Sequence, residues 1–185
     1  MAASTANRIR IIGGAWRRRL VRFPGAAGVR PTPDRVRETL FNWLGQDLTG
    51  WRCLDLYTGT GALTLEAASR GAALAVAIDR NRALVESLGA TGRALGAAAL
   101  EVHVADARAH LAGERRVFDL IFLDPPYAED PWPWLLPACV ACLAPGGFVY
   151  AEAGHVLTPP PGLEARRRDR AGLVHYHLFA AGDDA

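Results

Sequence analysis

The sequence predicts an α/β fold built on a mostly parallel sheet of seven strands with helices on both faces. Short, nearly continuous apolar runs alternate with helical periodicity after residue 52, which is typical of parallel strands covered on both sides. Two further strands, at about 163–169 and 173–179, are separated only by Arg-Ala-Gly. This spacing predicts an antiparallel C-terminal hairpin at the sheet edge.

The material before the sheet predicts a small hairpin and a helix. Residues 8–12 and 17–23 flank Gly-Gly-Ala-Trp and suit two short strands. Thr32 and Pro33 then begin a helix, with proline at its first position and an acid near its positive end. Its buried stripe is expected to contain Val36, Leu40, Trp43 and Leu44. We therefore expect a basic arm over residues 1–31 and a second domain over residues 32–185, with helix 33–46 packed on the core.

The elements of the sheet follow in order along the chain. The first five strands are expected at 52–57, 73–79, 100–106, 117–124 and 146–153. Helices are expected at Ala62–Arg70, around a face shared by Leu84, Leu88 and Leu95, and from about Trp132 to Leu143. Each of these helices lies between two strands, as right-handed crossovers of a parallel sheet require.

Charge is distributed unevenly along the chain, although the formal net charge is only +2. All 21 basic residues are arginines; residues 1–30 hold seven of them and no acid, whereas residues 51–185 hold 12 arginines and 16 acids. Such an arm indicates a polyanionic partner. Trp16 suits stacking on a nucleobase and packing against the body equally well. The candidate nucleic-acid contacts are Arg8, Arg10, Trp16, Arg17, Arg18, Arg19, Arg30 and Arg35.

Several other classes of protein are disfavoured. No apolar stretch reaches the roughly 18 residues of a membrane span, and the first residues lack the apolar core of a secretory signal. We expect a cytoplasmic protein whose three cysteines are reduced, with Cys139 and Cys142 packed in a helix. The five histidines form no metal set, so no metal is expected.

Residues 55–62, Asp-Leu-Tyr-Thr-Gly-Thr-Gly-Ala, form a glycine loop between the first strand and the first helix. A dinucleotide fingerprint would require a third glycine where Thr64 stands. Asp55 would also repel a pyrophosphate, so a ligand with a cationic amino group suits the loop better. The candidate loop contacts are Asp55, Tyr57, Thr58, Gly59, Thr60 and Gly61.

Two more acids end the second and third strands. Asp79 stands 20 residues after Gly59 and can accept hydrogen bonds from both ribose hydroxyls. Asp106 is placed to meet the exocyclic amine of an adenine, and Arg80 and Ala107 adjoin these two acids. Acids at successive strand ends line the crevice where open α/β sheets bind ligands. An adenosine that bears an amino acid fits them, which indicates S-adenosylmethionine.

The fourth strand ends in Asp124, Pro125, Pro126 and Tyr127, the candidate catalytic residues. Proline fixes φ and removes the backbone donor, so we expect a rigid turn whose carbonyls are free to accept. With an ordinary pKa of about 3.9, Asp124 would be ionised and able only to accept. Together these groups would hold both hydrogens of a planar amine and direct its nitrogen at a methyl donor. Tyr127 offers a flat face to a nucleobase.

Four segments closely resemble the bacterial RsmD-type family of ribosomal RNA methyltransferases: residues 8–20, 28–44, 53–72 and 122–127. The resemblance runs from about Arg8 to Phe179. It implies a class I methyltransferase fold that uses S-adenosylmethionine. It also implies methylation of a guanine N2 in 16S ribosomal RNA, an N-terminal hairpin that touches RNA, and an assembled or partly assembled small ribosomal subunit as substrate.

The resemblance also implies roles for individual residues. It places Asp55, Gly59 and Gly61 around the methionine part of the donor, Asp79 at the ribose and Asp106 near the adenine. Residues 124–127 would hold the guanine, and residues 30–32 would lie at the mouth of the site. Arg18 departs from the pattern, because glycine is common at its position.

Three alternatives remain open. A DNA adenine-N6 methyltransferase uses the same Asp-Pro-Pro-Tyr logic, but it usually has a separate target-recognition region. A protein glutamine methyltransferase would need Asn in place of Asp124. A non-catalytic RNA-binding assembly factor would not need an intact pocket. We expect a monomer that contacts neither membrane nor metal.

Overall fold

The computed structural model describes residues 8–26 and 31–182, and it begins with the expected hairpin. Strands β1 (Arg8–Arg10) and β2 (Leu20–Arg22) pair antiparallel, with Ile9 opposite Val21. In the turn between them Arg18 has φ 71°, the left-handed conformation that favours glycine. The structure thus gives a physical reason for the glycine that is common at this position.

Helix α1 (Asp34–Leu44) is capped by Pro33 at its start and by Gly45, with φ 93°, at its end. Val36, Leu40 and Leu44 are buried as expected. Trp43 is only half-buried, and its ring stacks on Tyr176 at a centroid distance of 5.4 Å.

The sheet has the order β5-β4-β3-β6-β7-β9-β8. Its strands are β3 (Arg52–Asp55), β4 (Leu74–Asp79), β5 (Leu100–Val104), β6 (Phe118–Leu123), β7 (Leu143–Ala153), β8 (Leu163–Ala171) and β9 (Val174–Ala181). Every pairing from β5 to β7 is parallel, whereas β9 runs antiparallel to both of its neighbours. The predicted mostly parallel seven-stranded sheet with a C-terminal hairpin is confirmed.

Two of the four helices that follow α1 differ from the sequence-based expectation. The helices are α2 (Ala62–Ser69), α3 (Arg82–Leu95), α4 (Ala107–Gly113) and α5 (Trp132–Val140). No helix was expected at α4, which buries a single residue and so lacks an apolar stripe. The end of α5 near Leu143 was wrong, because Leu143 already pairs with Phe118 as part of β7. Within residues 8–26 and 31–182, no helix has the length and apolarity to cross a membrane.

Alternate residues of the central strands serve two different cores. Leu120, Phe122 and Tyr150 face α1, whereas Ile121 and Leu123 face α5. Phe122 makes edge contacts with Phe41 of α1 and with Tyr150, at centroid distances of 6.5 and 6.3 Å. On the face of the sheet that α1 covers, the packed aromatic rings therefore lie next to the carboxyl ends of the strands.

The fully buried carboxylate of Glu66 in α2 joins the hairpin to both helices. Its Oε1 accepts from the Ile12 N–H at 2.5 Å and from Arg37 Nη1 at 2.8 Å. Its Oε2 accepts from the Gly13 N–H and from Arg70 Nε, each at 3.2 Å. Arg37 is itself buried and also donates to the Arg10 carbonyl at 2.9 Å. Two buried arginines and one buried glutamate thus form a connected network.

Gly13 and Gly14 let the hairpin lie against the end of α2. The Ala15 N–H donates to the Ser69 carbonyl at 2.7 Å, and Ser69 Oγ donates to the Gly13 carbonyl at 2.6 Å. A Cβ on Gly14 would lie 1.8 Å from the Ser69 oxygen, so only glycine fits there. The hairpin is therefore attached to the body by its backbone as well as by the side chains that pack beneath it.

We expect Glu66→Gln to lower the free energy of unfolding by about 3–5 kcal/mol, because it removes the anion of buried Arg70 and leaves buried Arg37 with Asp34 as its one remaining anion among the described residues. Urea unfolding at neutral pH measures this. Glu86→Gln is the matched control, since Glu86 is exposed and pairs only with Arg82 at 3.6 Å on the surface of α3. It should change stability by less than about 0.5 kcal/mol. Equal effects of the two substitutions would contradict the assignment.

Candidate active site

The strand register places four carboxyl groups on one face of the sheet at its carboxyl edge. Asp55 pairs with Ala77 and Phe122, and Phe122 pairs with Tyr150. Paired residues of parallel strands project from the same face, as do residues two positions apart along one strand. The remaining three acids each stand two residues beyond one of these partners. The four are Asp55, Asp79, Asp124 and Glu152.

None of the ion pairs among the described residues involves any of these four acids. Burial raises the pKa of Asp55 to about 7 against the hydrogen bonds that lower it. Burial, together with the charges of Glu152 and Asp55, raises the pKa of Asp124 well above its usual range. The expectation of an ordinary pKa for Asp124 was therefore wrong for the protein alone, because its neighbours are acids in a poorly solvated site.

Thr64 supports the Asp55 carboxylate from the first turn of α2. Its Oγ1 donates to Asp55 Oδ2 at 2.7 Å and lies 2.8 Å from Thr58 Oγ1. The Tyr57 N–H lies 3.4 Å from Asp55 Oδ1. A third glycine at position 64 would remove this hydroxyl. Thr64, which stands where the dinucleotide fingerprint has its third glycine, therefore has a structural role: it supports the Asp55 carboxylate.

The glycine loop turns through left-handed conformations at Gly59 (φ 50°) and Gly61 (φ 79°). The Gly59 N–H donates to Asp79 Oδ2 at 2.8 Å, so the loop after β3 is fastened to the end of β4. A Cβ on Gly61 would lie 2.4 Å from a methyl of Leu88, so this glycine also permits the packing of α3. Asp79 accepts from the Asn81 N–H with its other oxygen at 2.8 Å. Each of its oxygens retains a second lone pair for a ligand.

Asp106 and Arg80 form the outer rim of the crevice. Asp106 Oδ1 caps α4 by accepting from the Arg108 and Ala109 N–H groups at 2.9 and 3.1 Å. Its Oδ2 lies 3.5 Å from Arg80 Nε, and Arg80 Nη2 donates to both oxygens of Glu129 at 3.0 and 3.1 Å. Arg80 thus bridges the loops that follow β4, β5 and β6. An adenine amine would share the Asp106 carboxylate with this bridge.

The remaining loop candidates surround these groups. Thr60 is buried in the glycine loop, and Ala107 is the buried first residue of α4. Tyr57 is half-buried against the core under the rim, and its pKa is raised to about 12, first by burial and then by the Glu129 charge. The structure therefore gathers every predicted loop contact around the ends of β3, β4 and β5.

One of the two proline carbonyls in the Asp-Pro-Pro-Tyr turn already accepts a backbone hydrogen bond. The Pro126 carbonyl accepts from the Glu129 N–H at 2.9 Å, so the expectation that both proline carbonyls stay available was wrong. The turn bends back on itself at this point. Pro125 is buried, and its carbonyl accepts no hydrogen bond from the described residues. Tyr127 exposes 62% of its surface beside Gly154 at the end of β7.

Sequence analysis missed Glu152 and the two side chains that hold it. Glu152 is only 4% exposed, and its Oε1 accepts from Thr32 Oγ1 and from the Tyr150 hydroxyl, each at 2.9 Å. Thr32 precedes α1 and is 120 residues away in the chain. A glutamate inside the apolar run of β7 was a readable signal, because a buried strand rarely contains a charge without a purpose.

Most of the candidate nucleic-acid contacts are accessible to solvent. Of the candidate nucleic-acid contacts, six arginines are exposed, Trp16 is half-buried against the hairpin core, and Arg30 lies outside the described residues. The six are Arg8, Arg10, Arg17, Arg18, Arg19 and Arg35.

His177 is a buried core residue whose Nε2 accepts a hydrogen bond from the Leu157 N–H at 3.1 Å. Across the described part of the chain, no cluster of His, Cys, Asp or Glu is arranged to hold a metal.

Comparison with known proteins adds to this geometry. Ribosomal RNA small subunit methyltransferase D of Escherichia coli is 37% identical over 185 residues, which cover 95% of this chain and 91% of that protein. The solved structure of the Escherichia coli protein yhhF superposes with a TM-score of 0.86 at 38% identity, covering 94% of this chain and 98% of that one.

An RNA methyltransferase from Salinibacter ruber, solved with S-adenosyl-L-homocysteine, superposes with a TM-score of 0.63 at 20% identity, over 83% of this chain and 95% of that one. At this identity the likeness shows the fold alone. Together with the yhhF structure, which is described as a putative methyltransferase, it confirms the predicted fold class. Residues 9–180 also match the sequence model of a family described as conserved hypothetical protein 95. The chain therefore belongs to the conserved hypothetical protein 95 family, and its resemblance to the RsmD-type methyltransferases is confirmed.

Proposed function

We propose that this protein transfers a methyl group from S-adenosylmethionine to the exocyclic N2 amine of a guanine in 16S ribosomal RNA. The substrate is an assembled or partly assembled small ribosomal subunit in the cytoplasm, and the protein acts as a monomer without a metal. The observation that carries the proposal is the Asp124–Tyr127 turn beside the buried acids Asp55 and Glu152, with which no arginine or histidine of the described residues forms an ion pair. The printed names of the relatives support the ribosomal substrate.

The charge of the pocket fits this donor. S-adenosylmethionine carries an activated methyl group on a sulfonium cation, and its amino group is a second cation at neutral pH. Asp55 and the glycine-loop residues suit the methionine part, because a buried carboxylate gains most from a cation that replaces lost water. Asp79 offers its remaining lone pairs to the ribose, and Asp106 with Ala107 borders the adenine.

The turn positions the acceptor. The Pro125 carbonyl and an Asp124 oxygen accept one hydrogen each from the planar amine, which fixes the nitrogen and directs its lone pair at the methyl. Holding the two reactants in line supplies most of the acceleration. A neighbouring cation favours the ionised form of Asp124 over the protonated form that burial favours. Asp124 then takes up the proton that the methylated nitrogen releases.

The RNA must present its base out of the stack, because a paired guanine cannot reach the turn. Stacking of the base on the exposed Tyr127 ring would recover about 1–3 kcal/mol of that cost. The hairpin arginines would hold phosphates, which gives affinity that falls as salt rises. Nucleoside mass spectrometry of small-subunit RNA, with and without the protein, tests the proposal as a whole. Methylated adenine in duplex DNA would instead favour the DNA alternative.

Asp124→Ala should lower methyl transfer to small subunits at least about 100-fold, because it removes one of the two acceptors that orient the amine. Radiolabel transfer from S-adenosylmethionine to unmodified small subunits measures the rate, and calorimetry measures donor binding. Donor binding should persist. Asp130→Asn, on an exposed acid of the same loop, is the control and should retain full activity. Normal turnover by Asp124→Ala would refute its role.

Replacing Arg17, Arg18 and Arg19 together with alanine should weaken binding to small subunits. The slope of log affinity against log salt should fall by about one for each phosphate that the hairpin no longer binds. Donor affinity should not change, because these side chains lie on the hairpin. A charge-matched control replaces the exposed Arg82, Arg93 and Arg115. The control triple should leave the slope unchanged. An equal loss of affinity in both triple variants would show that the effect comes from net charge and not from the hairpin.

Asp55 makes the donor-free protein less stable at alkaline pH. Its folded pKa of about 7 lies above an unfolded value of about 3.9, so its stabilising proton is retained at low pH and lost as pH rises through 7. Relative to Asp55→Asn, the wild type should lose roughly 2–3 kcal/mol of unfolding free energy between pH 5 and pH 8.

Urea unfolding at the two pH values measures that difference, and calorimetry measures donor binding by each protein. Asp55→Asn should lose donor binding although it gains stability at pH 8, since an amide cannot neutralise a cation. A stability difference that does not vary with pH would show that Asp55 is ionised throughout.

A further inference from the structure

We propose that Glu152 selects guanine by accepting the N1–H of the target base through its carboxylate Oε2. The inference rests on the proposed function and adds a specificity-determining residue to it. Asp124 and Pro125 would take the two N2 hydrogens, and Glu152 would take the third hydrogen of the same edge.

The sheet places Glu152 directly beside the turn that holds the acceptor amine. Ala151 of β7 pairs with Leu123 of β6, so the next residues, Glu152 and Asp124, stand opposite each other. Adjacent strands are about 4.8 Å apart, so the side chains of Glu152 and Asp124 can reach the same edge of one bound base. The charge of Glu152 is the second cause, after burial, of the raised Asp124 pKa. The two carboxyl groups therefore act in one small space.

Glu152 is held by one oxygen only. Thr32 and Tyr150 both donate to Oε1, and neither they nor any other described residue donates to Oε2. Both donors are buried, with Thr32 6% exposed and Tyr150 fully covered, so the carboxylate has little freedom to turn. Oε2 is thus an oriented acceptor that residues 8–26 and 31–182 leave available.

A buried acid of this kind has no structural advantage. No described arginine or histidine forms an ion pair with Glu152, and removing a carboxylate from water without a cation costs several kcal/mol. An apolar residue in β7 would fill the same space without that cost. Perturbed acids of this type concentrate where ligands bind.

The chemistry of the two purines explains what Glu152 would distinguish. Guanine presents N1–H and the N2 amine side by side, so its edge is a row of donors. Adenine presents an N1 lone pair beside its amine. Burial raises the pKa of Glu152 in the protein alone, and the cation of the bound donor favours its ionised form, as it does for Asp124. In that form the carboxylate can only accept, so Glu152 pairs with guanine and repels adenine at N1. Sites that hydrogen-bond a substrate group discriminate strongly against analogues that lack it.

The test compares guanine with 2-aminopurine, which keeps the 2-amino group but has a lone pair at N1. Small subunits are reconstituted with either base at the nucleotide that mass spectrometry identifies as methylated. Initial rates of radiolabel transfer are measured for the wild type, Glu152→Gln and Thr32→Val. Glu164→Gln, on an exposed acid of β8, is the matched control.

Glu152→Gln should lower the guanine rate about 10- to 100-fold while its amide donates to the N1 of 2-aminopurine, so the preference for guanine falls or reverses. Thr32→Val should reduce the preference in the same direction but less, because the carboxylate loses one of its two donors. Glu164→Gln should behave as the wild type. Donor binding by calorimetry shows that each variant is folded.

A Glu152→Gln protein that binds donor and keeps the wild-type base preference would overturn the inference while leaving the proposed function intact. If Glu152→Gln does not bind donor, the Thr32→Val preference decides, and an unchanged ratio overturns the inference. A wild type that methylates no guanine in small subunits would instead overturn the proposed function, and the inference with it.

Discussion

The buried carboxylate of Glu66 is the interaction on which the arrangement of this molecule depends. Its two oxygens hold the backbone of the hairpin, Arg37 of α1 and Arg70 at the end of α2. Gly61 is the N-cap of α2, so one short helix adjoins the glycine loop at one end and anchors the hairpin at the other. Arg37 Nε also donates to the Thr32 carbonyl at 3.1 Å, and Thr32 holds Glu152. The hairpin and the pocket are therefore positioned by one set of contacts.

The contacts of Glu66 separate positive from negative side chains in the interior. The two arginines that enter the interior, Arg37 and Arg70, both pair with Glu66, whereas Asp55, Asp79, Asp124 and Glu152 receive no arginine from the described residues. Hence the interior keeps an excess of carboxyl groups at one edge of the sheet, while Arg17, Arg18 and Arg19 of the hairpin are exposed. Such an acid cluster lowers the stability of the protein alone, and a cationic ligand offsets that cost by mass action.

The strands and the glycine loop could be predicted from the sequence, because they depend on local periodicity and spacing. The buried polar contacts could not, because they join residues that are far apart in the chain. Continuous apolar runs such as residues 117–123 suffice to place parallel strands, and the donor loop follows from two glycines after a strand. Arg37 was not expected inside, because a helix stripe does not reveal that a glutamate 29 residues later will meet it. Glu152 was missed for the same reason, since its partner Thr32 lies 120 residues away. The Pro126 carbonyl was misjudged because its partner, the Glu129 N–H, depends on how the turn closes.

The Thr32–Glu152 contact also gives a structural role to residues 31–44, which belong to one of the four segments that carry the resemblance. Under the proposed function, the glycine loop and the Asp-Pro-Pro-Tyr turn would bind the donor and orient the acceptor amine, which any methyl transfer to a nucleobase amine requires, so they carry little information about the substrate. The segment before and within α1 supplies Thr32 to one buried acid and Arg37 to another. One contact fixes a carboxylate beside the acceptor turn, and the other fixes the hairpin. A segment that contacts both places where a substrate must fit is constrained by that substrate more than by methyl transfer itself.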